Sequence, residues 1–212
     1  MRATRLAAGL VALLALAVVG SGVPLAAAAP TQRSLPPSSR KPLVAIFEKK
    51  MEPFGLRVTR AALVDSLQKR DPKGTHLAIY VEPTGEYTPQ QYIDGTLDVS
   101  KVFLPYVFTR WKSLKSFDVC QEPRPVDDRV APAPETQVYA TRAGSKLVDW
   151  KTADVATMIR TSQEEAAATA THDDVRFSVF VAKHLQNTPA YQQVAGTAAT
   201  TTPTSPAVRD YG

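Results

Sequence analysis

Cys120 is the sole cysteine of the 212-residue chain, and it stands between two carboxylates in Asp118-Val119-Cys120-Gln121-Glu122. Side chains alternate across a strand, so extended backbone here points Asp118, Cys120 and Glu122 the same way. The nucleophilic form of a cysteine is the thiolate, and flanking carboxylates disfavour it by charge repulsion. Catalysis by Cys120 would therefore need a histidine brought from a distance. His76 and His184 are the candidates, with Glu122 as an acid or base. The plainer role for such a residue is a buried, inert cysteine. A second candidate region is Glu82-Pro83-Thr84-Gly85-Glu86-Tyr87. It directly follows a predicted strand, where α/β sheets place ligand sites. Glu82, Tyr87, Tyr92 and Asp118 are accordingly candidate binding residues, the tyrosines because a ring can stack while its hydroxyl bonds.

The remaining signals are weaker. His172 lies beside Asp173-Asp174, a grouping that reads as a loop and helix start rather than a ligand set, so no metal is expected. Ser66-Leu67-Gln68-Lys69 matches S-x-x-K without the S-D-N and K-T-G that accompany it in acyl-transfer enzymes. The chain contains no G-x-G-x-x-G, P-loop, G-x-S-x-G, H-E-x-x-H or C-x-x-C, and no cofactor is expected.

The elements that must position these residues follow from periodicity. The apolar run 43–47 after Pro42 predicts a buried strand. The spacing of Leu56, Leu63, Val64 and Leu67 predicts an amphipathic helix over 56–70. Residues 76–82 read as a strand. Thr88-Pro89-Gln90-Gln91 is a capping box with proline at the first helical position. Gly95 is expected to interrupt that helix, Asp98 to cap another, and Pro105 to kink it. Segments 116–121 and 137–141 read as strands, and Thr152 caps a helix to about 168 with Val155, Met158 and Ile159 inward. Alternation over 175–182 favours a strand, and Thr188-Pro189 opens a last helix. The expected fold is a single α/β or α+β domain over 42–195, with a mixed sheet of about five strands covered by helices. Its ends, 29–41 and 196–212, are Pro/Ser/Thr-rich and expected to be disordered.

Residues 1–28 have the order of a cleavable signal peptide: Arg2 and Arg5, then an apolar run from Leu6 to Val19, then Ala26-Ala27-Ala28. The apolar core is about 14 residues, short of the roughly 20 that a permanent span needs. Cleavage after Ala28 leaves a secreted, extracytoplasmic chain with no further apolar stretch long enough to span a membrane. It would also take two charges from the formal net +5. What remains is mild and scattered, so nucleic acid is not an expected partner. The leading expectation is a non-enzymatic binding or cell-envelope-associated module with an envelope or protein partner. The alternative is a secreted hydrolase or transferase using Cys120 with a distant histidine. A third reading is a dimer or complex linked through Cys120.

Overall fold

The computed structural model describes residues 34–124 and 133–198. The expected signal-peptide segment, most of the proline- and serine-rich segment 29–41, residues 125–132 and the tail from 199 lie outside the described residues. The described chain forms an α/β fold, a mixed five-stranded sheet with five α-helices among the described residues. Strands β1 (Leu56–Val64), β2 (His76–Pro83), β3 (Ser116–Gln121), β4 (Thr136–Thr141) and β5 (Phe177–Val181) lie side by side in chain order. All neighbours are antiparallel except β2 and β3. That parallel pair requires a crossover, which α2 (Pro89–Arg110) supplies.

Alternation along the strands sends Leu77, Ile79, Phe117, Val119, Val138, Ala140 and Phe177 to one face. There they meet Leu43, Phe47 and Met51 of α1 (Arg40–Met51), Val99, Phe103, Leu104 and Val107 of α2, and Met158 of α3 (Val155–Ala168). The rings of Phe47, Phe103 and Phe117 pack in sequence, with centroids 5.0 and 6.2 Å apart. Each fully buried large side chain here contributes about 1.5–3 kcal/mol. The last helices, α4 (Lys183–Gln186) and α5 (Pro189–Ala198), follow β5. Ala190, Tyr191 and Val194 of α5 extend this layer against Ile93, Val155 and Ile159.

Exposed strand edges invite pairing with other chains, and both edges here are occupied by helix side chains. On β1, the Val58 N–H donates to Glu48 Oε2 at 2.8 Å, and Arg40 donates to the Thr59 carbonyl at 2.5 Å. On β5, the Val179 N–H donates to Ser162 Oγ at 2.9 Å, and the Arg176 N–H donates to Glu165 Oε1 at 3.0 Å.

Four expectations are corrected. Segment 43–47 is helical, because Leu43, Phe47 and Met51 repeat every fourth residue and Pro42 sits in the first turn, where its missing N–H costs nothing. The helix also starts at Arg40, inside the expected leader. Residues 56–64 are strand, with a bulge between Val58 and Arg60. The extra residue turns the spacing of buried positions into Leu56, Val58, Ala61, Leu63, which mimics one side of a helix. α2 runs uninterrupted through Gly95, Asp98 and Pro105. Gly95 is there for a close approach: a Cβ would lie 2.8 Å from Gln121 Oε1. Gln121 Nε2 in turn donates to the Tyr92 carbonyl at 3.1 Å and to Thr136 Oγ1 at 2.6 Å, tying α2 to β3 and β4. Finally, Asp154 rather than Thr152 caps α3, accepting from the Thr157 N–H at 2.7 Å. The capping box at Thr88 and Gln91 is present as read.

Candidate functional site

Alternation also dictates the opposite face of the sheet. His76, Ala78, Tyr80 and Glu82 of β2 lie there, beside Ser116, Asp118 and Cys120 of β3 and Gln137, Tyr139 and Thr141 of β4. Among the described residues, no helix places its apolar side chains on this face. Nearly all the expected site residues fall on it or at its rim, in two groups.

The first group is a buried chain of polar contacts at the start of β2 and β3. Asp71 Oδ2 accepts from Ser66 Oγ at 2.7 Å, and Ser66 Oγ is 3.3 Å from Ser116 Oγ. Ser116 Oγ is 2.9 Å from His76 Nδ1, and His76 Nε2 is 3.4 Å from Asp118 Oδ1. Asp118 Oδ2 accepts from Gln137 Nε2 at 2.8 Å. Among the described residues Asp118 Oδ1 has no hydrogen-bond partner, so its contact with His76 is a close approach rather than a bond. The order Ser116–His76–Asp118 is that of an acyl-transfer relay. Ser116 has 0% exposure, however, so its hydroxyl cannot meet a substrate. The group fastens the 65–75 connection to the sheet. Lys69 and Arg70 of the same connection pair with Asp173 and Asp174 at 3.6 and 3.8 Å. Ser66 lies in this connection rather than a helix, and Lys69 is turned to Asp173, so the S-x-x-K match assembles no site.

The second group gathers where β2 and β3 end. The strand register continues Arg57, Glu82, Glu122 and Glu135 as one row across four strands. Arg57 Nε donates to Glu82 Oε1 at 2.5 Å. Arg60 pairs with Glu122 Oε1 at 3.3 Å, Thr59 Oγ1 donates to Glu122 Oε2 at 3.1 Å, and the Arg60 guanidinium lies 3.6 Å over the Tyr80 ring. The β1 bulge makes this possible by presenting Thr59 and Arg60 together toward Glu122. At the far end of the row, His184 Nε2 is 2.7 Å from Glu135 Oε2. Burial pushes the Glu122 carboxyl up, against the pull of Thr59 and Arg60, and burial likewise raises Glu135 against His184. Tyr80 is pushed to about 12 by burial and then by the nearby Cys120 and Asp118.

Cys120 lies between the two groups. Burial first, then Asp118 and Glu122, drives its thiol well above the ordinary 9.0. Among the described residues no hydrogen bond or ion pair joins it to His76 or His184, so the histidine a thiolate would need is not brought to it. Tyr87 is half-buried. Its hydroxyl donates to the Phe54 carbonyl, and its ring meets Tyr92 edge-on at 5.3 Å. Tyr92 is pushed to about 12 by burial and by Glu135. Tyr87 braces the turn that Gly55 makes with φ 65°, and Tyr92 packs behind it against Val181 and Leu185. Among the described residues no cluster of His, Cys, Asp and Glu could hold a metal ion.

The sequence reading missed Ser116, Gln137, Arg57, Arg60 and Glu135. Ser116 shares the parity of Asp118 and was within reach of the alternation argument. The arginines were hidden by the bulge. Comparison with protein-family models, with curated proteins and with solved structures returns no match.

Proposed function

We propose that the protein is an exported, non-enzymatic binding module of the cell envelope, and that it binds through the charged end of the polar sheet face. One observation carries this reading. Arg57 and Arg60 stand outward with side-chain exposures of 58% and 45%, yet each is held from beneath by a nearly buried glutamate, Glu82 or Glu122. Arg60 is further fixed over Tyr80. Guanidinium groups fixed on a sheet lose little entropy on meeting a partner and keep N–H donors free for bidentate bonds. The partner they fit is a protein presenting carboxylates. The placement of Ser116 and Cys120, both buried, supports binding over a nucleophilic reaction.

Cross-linking in an envelope fraction, comparing the native chain with an Arg57→Ala/Arg60→Ala variant, tests the proposal. A discrete partner should be captured by the native chain and by His184→Ala, and lost at least tenfold from the double variant. Equal capture by all three would sink the proposed surface. Iodoacetamide separates the catalytic alternative: Cys120 should stay unmodified until denaturant is added, and fast native alkylation would favour a nucleophile. Mature protein should begin near Ala29 outside the cytoplasm; recovery from cytosol with Met1 attached would overturn the export reading.

A further inference from the structure

We propose that the outer surface of the helical layer, where α1 meets the end of α2, is a docking surface for an anionic lipid bilayer. The cations come from two helices. Lys41, Ala45 and Lys49 follow at four-residue spacing along the exposed side of α1, with Lys50 adjoining. Arg110 ends α2, and Lys112 follows. Two of them meet at Tyr106: Lys50 Nζ is 4.3 Å from the ring centroid, and the Arg110 guanidinium carbon is 5.7 Å from it and 5.8 Å from the Trp111 ring. Tyr106 is fixed by edge contacts to Phe47 at 6.3 Å and to Trp111 at 5.9 Å.

Two features separate this patch from ordinary surface charge. Among the described residues none of Lys41, Lys49, Lys50, Arg110 and Lys112 has a carboxylate partner, whereas Arg57 and Arg60 each have one. Glu48, the carboxylate inside α1, is turned away to the Val58 N–H of β1. Glu52 at the end of α1 is also exposed, so the five cations outnumber the carboxylates of α1 and its cap rather than standing alone. The centre of the patch is also amphipathic. Tyr106 is half-buried, and its chain neighbour Pro105 is exposed. A tyrosine among lysines and arginines on a helical surface suits the headgroup region, where the ring sits among acyl carbonyls and the cations meet phosphates. The surface is distinct from the charged end of the sheet and does not depend on it. It rests on the envelope reading only for which membrane is met.

Vesicle co-sedimentation of the mature full chain tests the proposal, using phosphatidylcholine alone and phosphatidylcholine mixed with phosphatidylglycerol. Binding should require phosphatidylglycerol and fall as salt is raised. Each cation removed should weaken it roughly fivefold, so Lys50→Gln/Arg110→Gln should lose about 25-fold. Lys41→Gln/Lys49→Gln, at positions that touch no ring, provides a second variant should the first fail to fold. Arg57→Ala/Arg60→Ala should bind vesicles as the native chain does, even where it has lost its protein partner. Equal binding to both vesicle types, no effect of either lysine variant, or tighter binding to an oligonucleotide than to the anionic vesicles would overturn the proposal.

Discussion

The two faces of the sheet are made from alternate residues of the same strands, yet they are built on different physics. The helix-covered face is held by area: Phe117, Ile79, Val138 and their neighbours bury apolar surface against α1, α2 and α3. The other face is buried almost as deeply at His76, Asp118, Glu82 and Glu122 but is held by paired polar atoms. Burial of polar groups is tolerable only where their bonds are made. The comparison teaches that low exposure has opposite meanings on the two sides. On one side it measures stabilisation, and on the other it measures a cost that specific partners offset. A face that accepts this cost while holding Arg57 and Arg60 outward fits the binding surface proposed above.

Phe117 and Asp118 are adjacent in β3 and point to opposite faces, so they give the sharpest test. Phe117→Ala leaves a cavity beside Phe103 and should cost about 3–5 kcal/mol in urea unfolding. Asp118→Ala strands Gln137 Nε2 and removes the carboxylate beside His76, and should cost less, about 1–3 kcal/mol. A larger loss at Asp118 than at Phe117 would break the comparison, since it would make the polar face the dominant source of stability. Smaller still is Arg60→Ala. Its guanidinium is about half exposed, so stability should change by less than about 1 kcal/mol while partner capture is lost. Loss of fold with loss of capture would place Arg60 among the structural residues instead.

The α/β class, four of the five strands and the covered sheet were legible because β2, β3, β4 and β5 keep the two-residue alternation and Thr88 to Gln91 spell a capping box. The parity argument that put Asp118, Cys120 and Glu122 on one face needed nothing beyond the strand itself. The N-terminal third was misread for local reasons. In α1 the short run 43–47 shows its helical period only when Met51 is included. In β1 the bulge at Thr59 shifts the phase of burial by one residue, and an alternation broken in this way looks helical. With β1 taken for a helix, Arg57 and Arg60 could not be paired with Glu82 and Glu122, so the charged row was invisible even though each of its members could be seen. Contacts 25 and 62 residues apart are set by register, which no single segment contains.

The smallest effect concerns the sign of the charged row's contribution to stability. Burial raises the Glu122 carboxyl above its ordinary 4.5 despite Thr59 and Arg60. The folded chain therefore holds this proton to higher pH than the unfolded chain does, so folding is favoured most below about 4.5 and that contribution is lost as pH rises through the raised value. Glu122→Gln removes the titration while keeping an acceptor for Thr59. Relative to the native chain, the variant should gain stability on going from acid to neutral pH, measured as the difference between urea midpoints at the two conditions. Glu135 titrates in the same direction in both chains and cancels. If the variant instead loses ground as pH rises, the ionised Glu122 is stabilised by Arg60 and Thr59 more than it is penalised by burial. The row would then be a net source of stability like the apolar face, and its outward arginines would be explained by folding alone.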